Sequence, residues 1–234
     1  MKHYNSTYMA PQVPSDVNSA DLVTALITEP TTAVAICRLT GDVLYANNLA
    51  ARIYLGDDAA ADDFAGHSLW ELFPDEWVRE RLMIGLRAVR NGRPILVRTI
   101  WHGHQMFSWL YPLDTASEPG SDDPNARVMI VSRRVAAGQD VNEFLDDGTE
   151  MIESEVMRLG KIDVLSPREM EVLAMVGQGM SIREIAQVLC RSEKTIQNHR
   201  DSIGSKLGLG NRVKVAEVAK QAALTTRDAR RTRV

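Results

Sequence analysis

The chain has 234 residues, 44% of them apolar and 25% charged, with a formal net charge of −4; that is enough chain for two modest domains, each with its own core. No apolar run approaches the length of a membrane span, and the N-terminal MKHYNSTYMAPQVPSD lacks the apolar core of a secretion signal, so a cytoplasmic protein without a membrane partner is expected. Cys37 and Cys190 are the only cysteines, and no CxxC or CxxxH spacing occurs, which argues against a disulfide framework and a zinc site.

Residues 1–20 read as a disordered tail, and a first domain is expected over 21–136. AVAICRLT (33–40) and VLYANN (43–48) are β-rich runs separated by Gly41 and Asp42, a hairpin signal. Helices are expected over 48–54 and 74–89, the second with Trp77, Leu82, Leu86 and Val89 apolar. PILVRTIW (94–101) and QMFSWLYPL (105–113) flank His102, Gly103 and His104 as a second hairpin. After a Gly/Pro/Asp loop over 114–126, RVMIVSRRV (127–135) supplies a fifth strand. Five strands with helices grouped between the second and third predict an antiparallel sheet with helices on one face, and the whole chain an α+β fold.

Trp70, Trp77, Trp101, Phe107 and Trp109 either form this domain's core or line a small-molecule cavity. His67, in an expected helical stretch, and the turn residues His102 and His104 read as solvated side chains rather than haem or metal ligands. No Ser/His/Asp or paired-carboxylate arrangement has catalytic spacing. The expectation is a protein that is not an enzyme, with no cofactor and no metal. Over 137–160 a helical linker is expected, in which Val141, Leu145, Ile152, Val156 and Leu159 form a stripe broken at Gly148. It is either a short dimeric coiled coil or two helical pieces acting as a spacer.

A second, DNA-binding domain is expected over 161–226, and within it the run from Leu165 to Arg212 carries three helix starts in succession. Ser166, Pro167 and Glu169 form a capping box with proline at the first helical position, followed by Met170, Leu173, Ala174 and Gly177 at helical spacing. Ser181 and Glu184 repeat the box, opening a helix with Ile185, Ala186, Val188 and Leu189 apolar. Ser192 caps a third helix whose inward stripe is Ile196, His199, Ile203 and Leu207, with His199 read as a core histidine. Its outer face presents Lys194, Gln197, Asn198, Asp201, Ser202 and Ser205, short hydrogen-bonding side chains rather than a Glu/Lys ladder. Gly208 and Gly210 stop this helix, and Asn211 can cap a fourth carrying Val213, Ala216, Val218 and Ala219.

LSPREMEVL, the Gly179 preceding SIREIAQVL, SEKTIQNH, SKLG and the pair Asn211–Arg212 together resemble the LuxR-type helix-turn-helix shared by FixJ- and NarL-like regulators. The resemblance covers about the last third of the chain. It implies that the third helix enters the major groove of a double-stranded DNA operator, with Gln197, Asn198 and Asp201 at base edges and Lys194, Thr195, Arg200, Lys206 and Arg212 on phosphates. With the Ser192 cap, these form the candidate DNA-binding set. Many relatives carry a basic residue where Asp201 stands, so this carboxylate either reads a cytosine amino group or repels the backbone. Arg212 either contacts phosphate or pairs with Glu169 or Glu171.

The first domain is similar to a PAS domain in its order of strand, turn, strand, helices and three-stranded meander, with Gly41–Asp42, Asn47, GHSLWELFP (66–74) and NGRP (91–94) carrying the comparison. That likeness implies a sensory or dimerising module able to take a small-molecule ligand. A flavin–cysteine photoreceptor of this fold would need an NCRFLQ-like helix, whereas Cys37 falls in a strand. Residues 161–234 hold 14 Lys+Arg and 8 Asp+Glu, and residues 1–160 hold 13 and 23, so the halves carry net +6 and −10. The basic half suits a polyanion, and the acidic half could hold it by complementary charge, masking the third helix. The tail 227–234, RDARRTRV, reads either as a disordered phosphate-seeking arm or as a solubilising one.

Together these features point to a homodimeric transcription regulator, with the fourth helix and linker at the dimer contact and RNA polymerase as a further partner. An acyl-homoserine-lactone sensor preceding the same head is disfavoured by the strand order. A sigma factor would need an all-helical, aromatic-rich N-terminal part.

Overall fold

The computed structural model describes residues 24, 25, 27, 28, 31–114, 123–135 and 149–234. β1 (Ala33–Arg38) and β2 (Val43–Ala46) form the first hairpin. Helices α1 (Asn48–Leu55), α2 (Leu69–Leu72) and α3 (Asp75–Asn91) follow, and β3 (Ile95–Trp101), β4 (His104–Pro112) and β5 (Arg127–Arg134) complete an antiparallel sheet of order β2-β1-β5-β4-β3. This N-terminal domain is PAS-like in the order of its elements. Asn47 shows how one side chain sets the local path: its Oδ1 caps α1 by accepting from the Ala50 amide at 2.9 Å, while its Nδ2 donates to the Thr32 carbonyl at 2.8 Å. His67 lies in the bend before α2 rather than in a helix.

All seven residues of β3 are buried, although a sheet with helices on one face should show alternation. The reason is a second cover. Ile95, Val97 and Trp101 pack under α1 and α3, whereas Ile100 on the opposite face belongs to the core of the C-terminal domain. The sheet is therefore the middle of three layers. Its helix side is filled by Tyr54, Phe64, Phe73, Trp77 and Trp101, with ring centroids 4.6–6.3 Å apart. The Tyr54 hydroxyl is satisfied by Ser132 Oγ at 2.7 Å and Ser108 Oγ at 3.3 Å. Trp77, Trp101 and Phe107 are thus core, while Trp70 is 40% exposed. Cys37 is buried in β1, and burial pushes its thiol up to about 12, well away from reactivity.

The helical linker expectation fails over its described part. Residues Glu150–Glu153 form β6, which pairs in parallel with β3, and Val156–Met157 form β7. The β3 edge offers unpaired backbone groups, and pairing with them outweighs a helical stripe of three residues. Val141 and Leu145 lie outside the described residues. The C-terminal arm expectation fails as well: Asp228–Arg230 make a 3₁₀ turn and Thr232–Arg233 form β8, parallel to β7.

Four helices build the C-terminal domain: α4 (Pro167–Gly177), α5 (Ile182–Val188), α6 (Glu193–Lys206) and α7 (Arg212–Ala222). Met170, Leu173, Ile185, Ile196, Ile203 and Val215 meet in its core. α4 and α7 approach so closely that a Cβ on Gly177 would stand 2.6 Å from the Ala219 carbonyl oxygen. Only glycine fits there.

A buried ion cluster joins the domains. Arg98 on β3 donates from Nε to Gln105 Oε1 at 2.7 Å, from Nη1 to Glu153 Oε2 at 2.9 Å, and from Nη2 to Asp228 Oδ2 at 3.1 Å and the Ala223 carbonyl at 2.9 Å. Asp228, with no exposed surface, also takes the Thr225 amide at 2.6 Å and Arg231 Nη1 at 2.9 Å. Arg231 reaches Glu153 too. Here the cation Arg98 belongs to the acidic half and the carboxylate Asp228 to the basic half, so the pairing runs against the net charges of the domains.

Candidate nucleic-acid interface

The interface is built from caps upward. Ser166 and Ser181 each close a capping box with Glu169 and Glu184, Ser192 Oγ accepts from the Thr195 amide at 3.1 Å, and Asn211 Oδ1 accepts from the Lys214 amide at 2.9 Å. The α5–α6 turn passes through Cys190 in a left-handed conformation (φ 50°). Ile196 and Ile203 anchor α6 inward, whereas His199 and Leu207 of the same stripe are half-buried.

The opposite face of α6 is open. Lys194, Asn198, Asp201 and Ser205 are exposed, so the described residues of the N-terminal half do not cover this face or supply the expected masking. Gln197 is held at both ends: its Nε2 donates to Asp201 Oδ1 at 2.7 Å, and Arg200 Nη2 donates to its Oε1 at 2.8 Å. Asp201 thus positions a neighbouring amide. Each end of that amide keeps one further donor or acceptor site, the pair needed for a bidentate contact to adenine. Ser192 and Thr195 share a hydroxyl contact of 2.8 Å at the helix start.

Lys206 is placed differently from the other candidates. Its Nζ lies 2.7 Å from Glu169 Oε2, and Ser202 Oγ donates to Glu169 Oε1 at 2.7 Å. Burial alone would raise the pKa of Glu169. Lys206, Ser202 and Ser166 reverse that and bring it down to about 2. Lys206 therefore braces α6 against α4. The Arg212 side chain lies outside what is described; its backbone opens α7. Arg191, one residue before the Ser192 cap, is an exposed cation beside the interface that the sequence pattern had not marked out. Its adjacency to SEKTIQNH was the available signal.

Of the fourth-helix residues expected at a dimer contact, Val213 is 65% exposed and Ala216 and Val218 are half-buried. Ala219 is fully buried against Gly177 and is unavailable to a partner.

Residues 163–219 match the family model described as bacterial regulatory proteins, luxR family. The C-terminal domain is a luxR-family domain. Among curated relatives, the oxygen regulatory protein NreC of Staphylococcus aureus (strain JH9) is 28% identical over 106 residues, covering 41% of this chain and 48% of NreC. The chain thus spans about half the length of the curated relatives it matches. Among solved structures, the VqmA–ligand–DNA complex of Vibrio cholerae aligns over 92% of this chain and 95% of VqmA, at 16% identity and a TM-score of 0.47. A domain of an HTR-like protein from Haloarcula marismortui aligns over 45% of this chain and 98% of that domain, at 23% identity and a TM-score of 0.36. Beside the PAS-like domain, the luxR-family domain presents Lys194, Asn198, Asp201 and Ser205 of α6 to solvent. Among the described residues, no helix is long and apolar enough to cross a membrane, and no group of three His, Cys, Asp or Glu residues is placed to hold a metal ion.

Proposed function

We propose that the chain is a sequence-specific transcription regulator in which the PAS-like domain controls a luxR-family head that reads a double-stranded DNA operator through α6. It works as a cytoplasmic homodimer on an inverted-repeat site, and the DNA-bound dimer contacts RNA polymerase. The observation that carries this reading is the Arg200–Gln197–Asp201 chain of hydrogen bonds, which holds an amide toward solvent on an uncovered helix. Gln197, Asn198 and Asp201 address base edges, while Lys194, Thr195, Arg200 and Arg212 address phosphates, with Arg191 beside them. A small-molecule ligand acting on the PAS-like domain is the input.

The test compares binding to a selected operator with binding to random DNA. Gln197→Ala or Asn198→Ala should cost about 1–3 kcal/mol on the operator and little on random DNA, because base contacts specify and phosphate contacts only hold. Lys194→Ala should weaken both alike and lower the salt slope by about one unit. Equal losses on both DNAs for Gln197→Ala would reject this face as the reader.

A further inference from the structure

Between the two domains lies a cleft of about 520 Å³, within the usual size range of small-molecule sites at domain junctions. One wall is cationic. Arg52 comes from α1, Arg134 from the end of β5, and His102 and His104 flank the β3–β4 turn, while Lys161 rises from the segment entering the head. Asp57 is the one carboxylate in the lining. Among the described residues, no carboxylate pairs with Arg52, Arg134 or Lys161, whereas Arg79, Arg127 and Arg168 on other surfaces are each paired, with Asp75, Asp114 and Glu171. Three permanent cations facing one carboxylate across a concave space favour an anion there. The histidines respond to the same field: burial lowers the pKa of both, and Arg134 lowers it further.

The opposite wall is apolar, made by Leu207, Leu209 and Val218 of the head, with Ile162 at the base. The two walls are held in register by backbone contact. A Cβ on Gly103 would lie 3.0 Å from the Leu159 carbonyl oxygen, and one on Gly160 3.2 Å from His102 Cα. The hairpin tip and the segment entering the head therefore meet without intervening side chains.

We propose that this cleft binds a small amphiphilic anion, an acidic head among Arg52, Arg134 and Lys161 with an apolar body against Leu207, Leu209 and Val218. Such a ligand touches both domains at once and stabilises the docked arrangement over any other, because it binds that arrangement alone. Its consequence for transcription rests on the operator-reading function proposed above. Its binding does not.

The experiment is titration calorimetry on the full chain with octanoate and octyl phosphate, which distinguish a carboxylate head from a phosphate one, and with 1-octanol and inorganic phosphate as halves of the ligand. Saturable binding of at least one amphiphile is expected, with either half alone weaker by about tenfold or more. Arg134→Gln with Lys161→Gln should weaken the amphiphile by a similar factor, and Asp57→Asn should tighten it, a gain that misfolding cannot imitate. Failure of both amphiphiles to bind overturns the proposal, as does 1-octanol binding as tightly as octanoate. Operator affinity of the Arg134→Gln, Lys161→Gln variant should equal wild type without ligand. A loss there would assign these cations to DNA phosphates and also overturn the proposal. If the wild-type chain binds no operator at all, the operator reading falls while the calorimetry still decides the cleft.

Discussion

Replacing Asp228 with Ala tests the junction most directly. Arg98 and Asp228 are both buried, and Asp228 accepts two hydrogen bonds from Arg98 and two from Thr225 and forms an ion pair with Arg231. Removing one partner of a buried pair costs about 3–5 kcal/mol, chiefly because the other charge stays behind uncompensated. Glu153 still faces both guanidinium groups in the variant, which places the expected loss at the lower end, about 3 kcal/mol. Arg98→Met, which keeps the apolar stem, should cost a similar amount. Because both changes remove the same interaction, the double variant should lose less than the sum of the singles by about 1–3 kcal/mol. Denaturant unfolding of the full chain, followed by tryptophan fluorescence and circular dichroism, measures all three. Single losses below about 1 kcal/mol, or strict additivity, would refute the reasoning that this cluster holds the domains together.

Glu169 gives a pH signature. Its pKa is depressed from the ordinary 4.5 to about 2, so its contribution is fully present above pH 4.5 and is lost as pH falls toward 2. Partial exposure of Lys206 limits that contribution to about 2–3 kcal/mol; Glu169→Gln should flatten the acid limb of the stability curve, and an unchanged limb would contradict the bracing role. Deleting residues 227–234 removes β8 and Asp228 and should lower the melting temperature by several degrees, whereas a free arm would leave it unchanged. Gly177→Ala drives a Cβ against backbone at 2.6 Å and should cost about 2 kcal/mol, or about 4–8 °C in melting temperature; a variant as stable as wild type would show that α4 and α7 can separate freely.

The five strands and four helix caps were legible because their signals are local. Alternating β-rich runs bounded by Gly–Asp and His–Gly turns, and Ser-x-x-Glu pairs before apolar runs, state their structure within a few residues. Strands β6, β7 and β8 are not of that kind. Two to four residues are too few to show alternation, and the partner of Val156 is Thr232 at the far end of the chain. Ile152, Val156 and Leu159 happen to fall at helical spacing, which favoured the wrong element. RDARRTRV reads as a solvated tail because the burial of Asp228 is set by Arg98, 130 residues away. At the interface, helical spacing placed Lys194, Asn198, Asp201 and Ser205 on the exposed face of α6, whereas Ser202 turns inward to Glu169. It could not show that Lys206 is committed to Glu169 or that Asp201 holds Gln197, since both depend on rotamers and on the α4–α6 distance.

The exposed face of α6 also changes how the sensor can act. A masked helix would need uncovering, and the measured operator affinity would then flatten toward low salt as the acidic half competed with DNA. With Lys194, Asn198 and Asp201 already open, the logarithm of affinity should instead fall linearly with the logarithm of salt, about 0.9 units per phosphate contact, down to low ionic strength. In the proposed dimer, control then comes from the angle and spacing at which two heads are presented, and two-fold heads need centres about 34–36 Å apart. On that proposal, the element that would set this angle is the Arg98–Asp228 cluster with the β7–β8 pair. Operators whose half-site spacing is varied by one base pair at a time should therefore show a sharp optimum for the wild-type chain, about tenfold or more above its neighbours. Arg98→Met should flatten that optimum to within about threefold while leaving the salt slope unchanged, because phosphate contacts are untouched. A variant that keeps the sharp optimum would show that the junction does not orient the head, and a wild-type salt curve that bends at low salt would restore charge masking as the control.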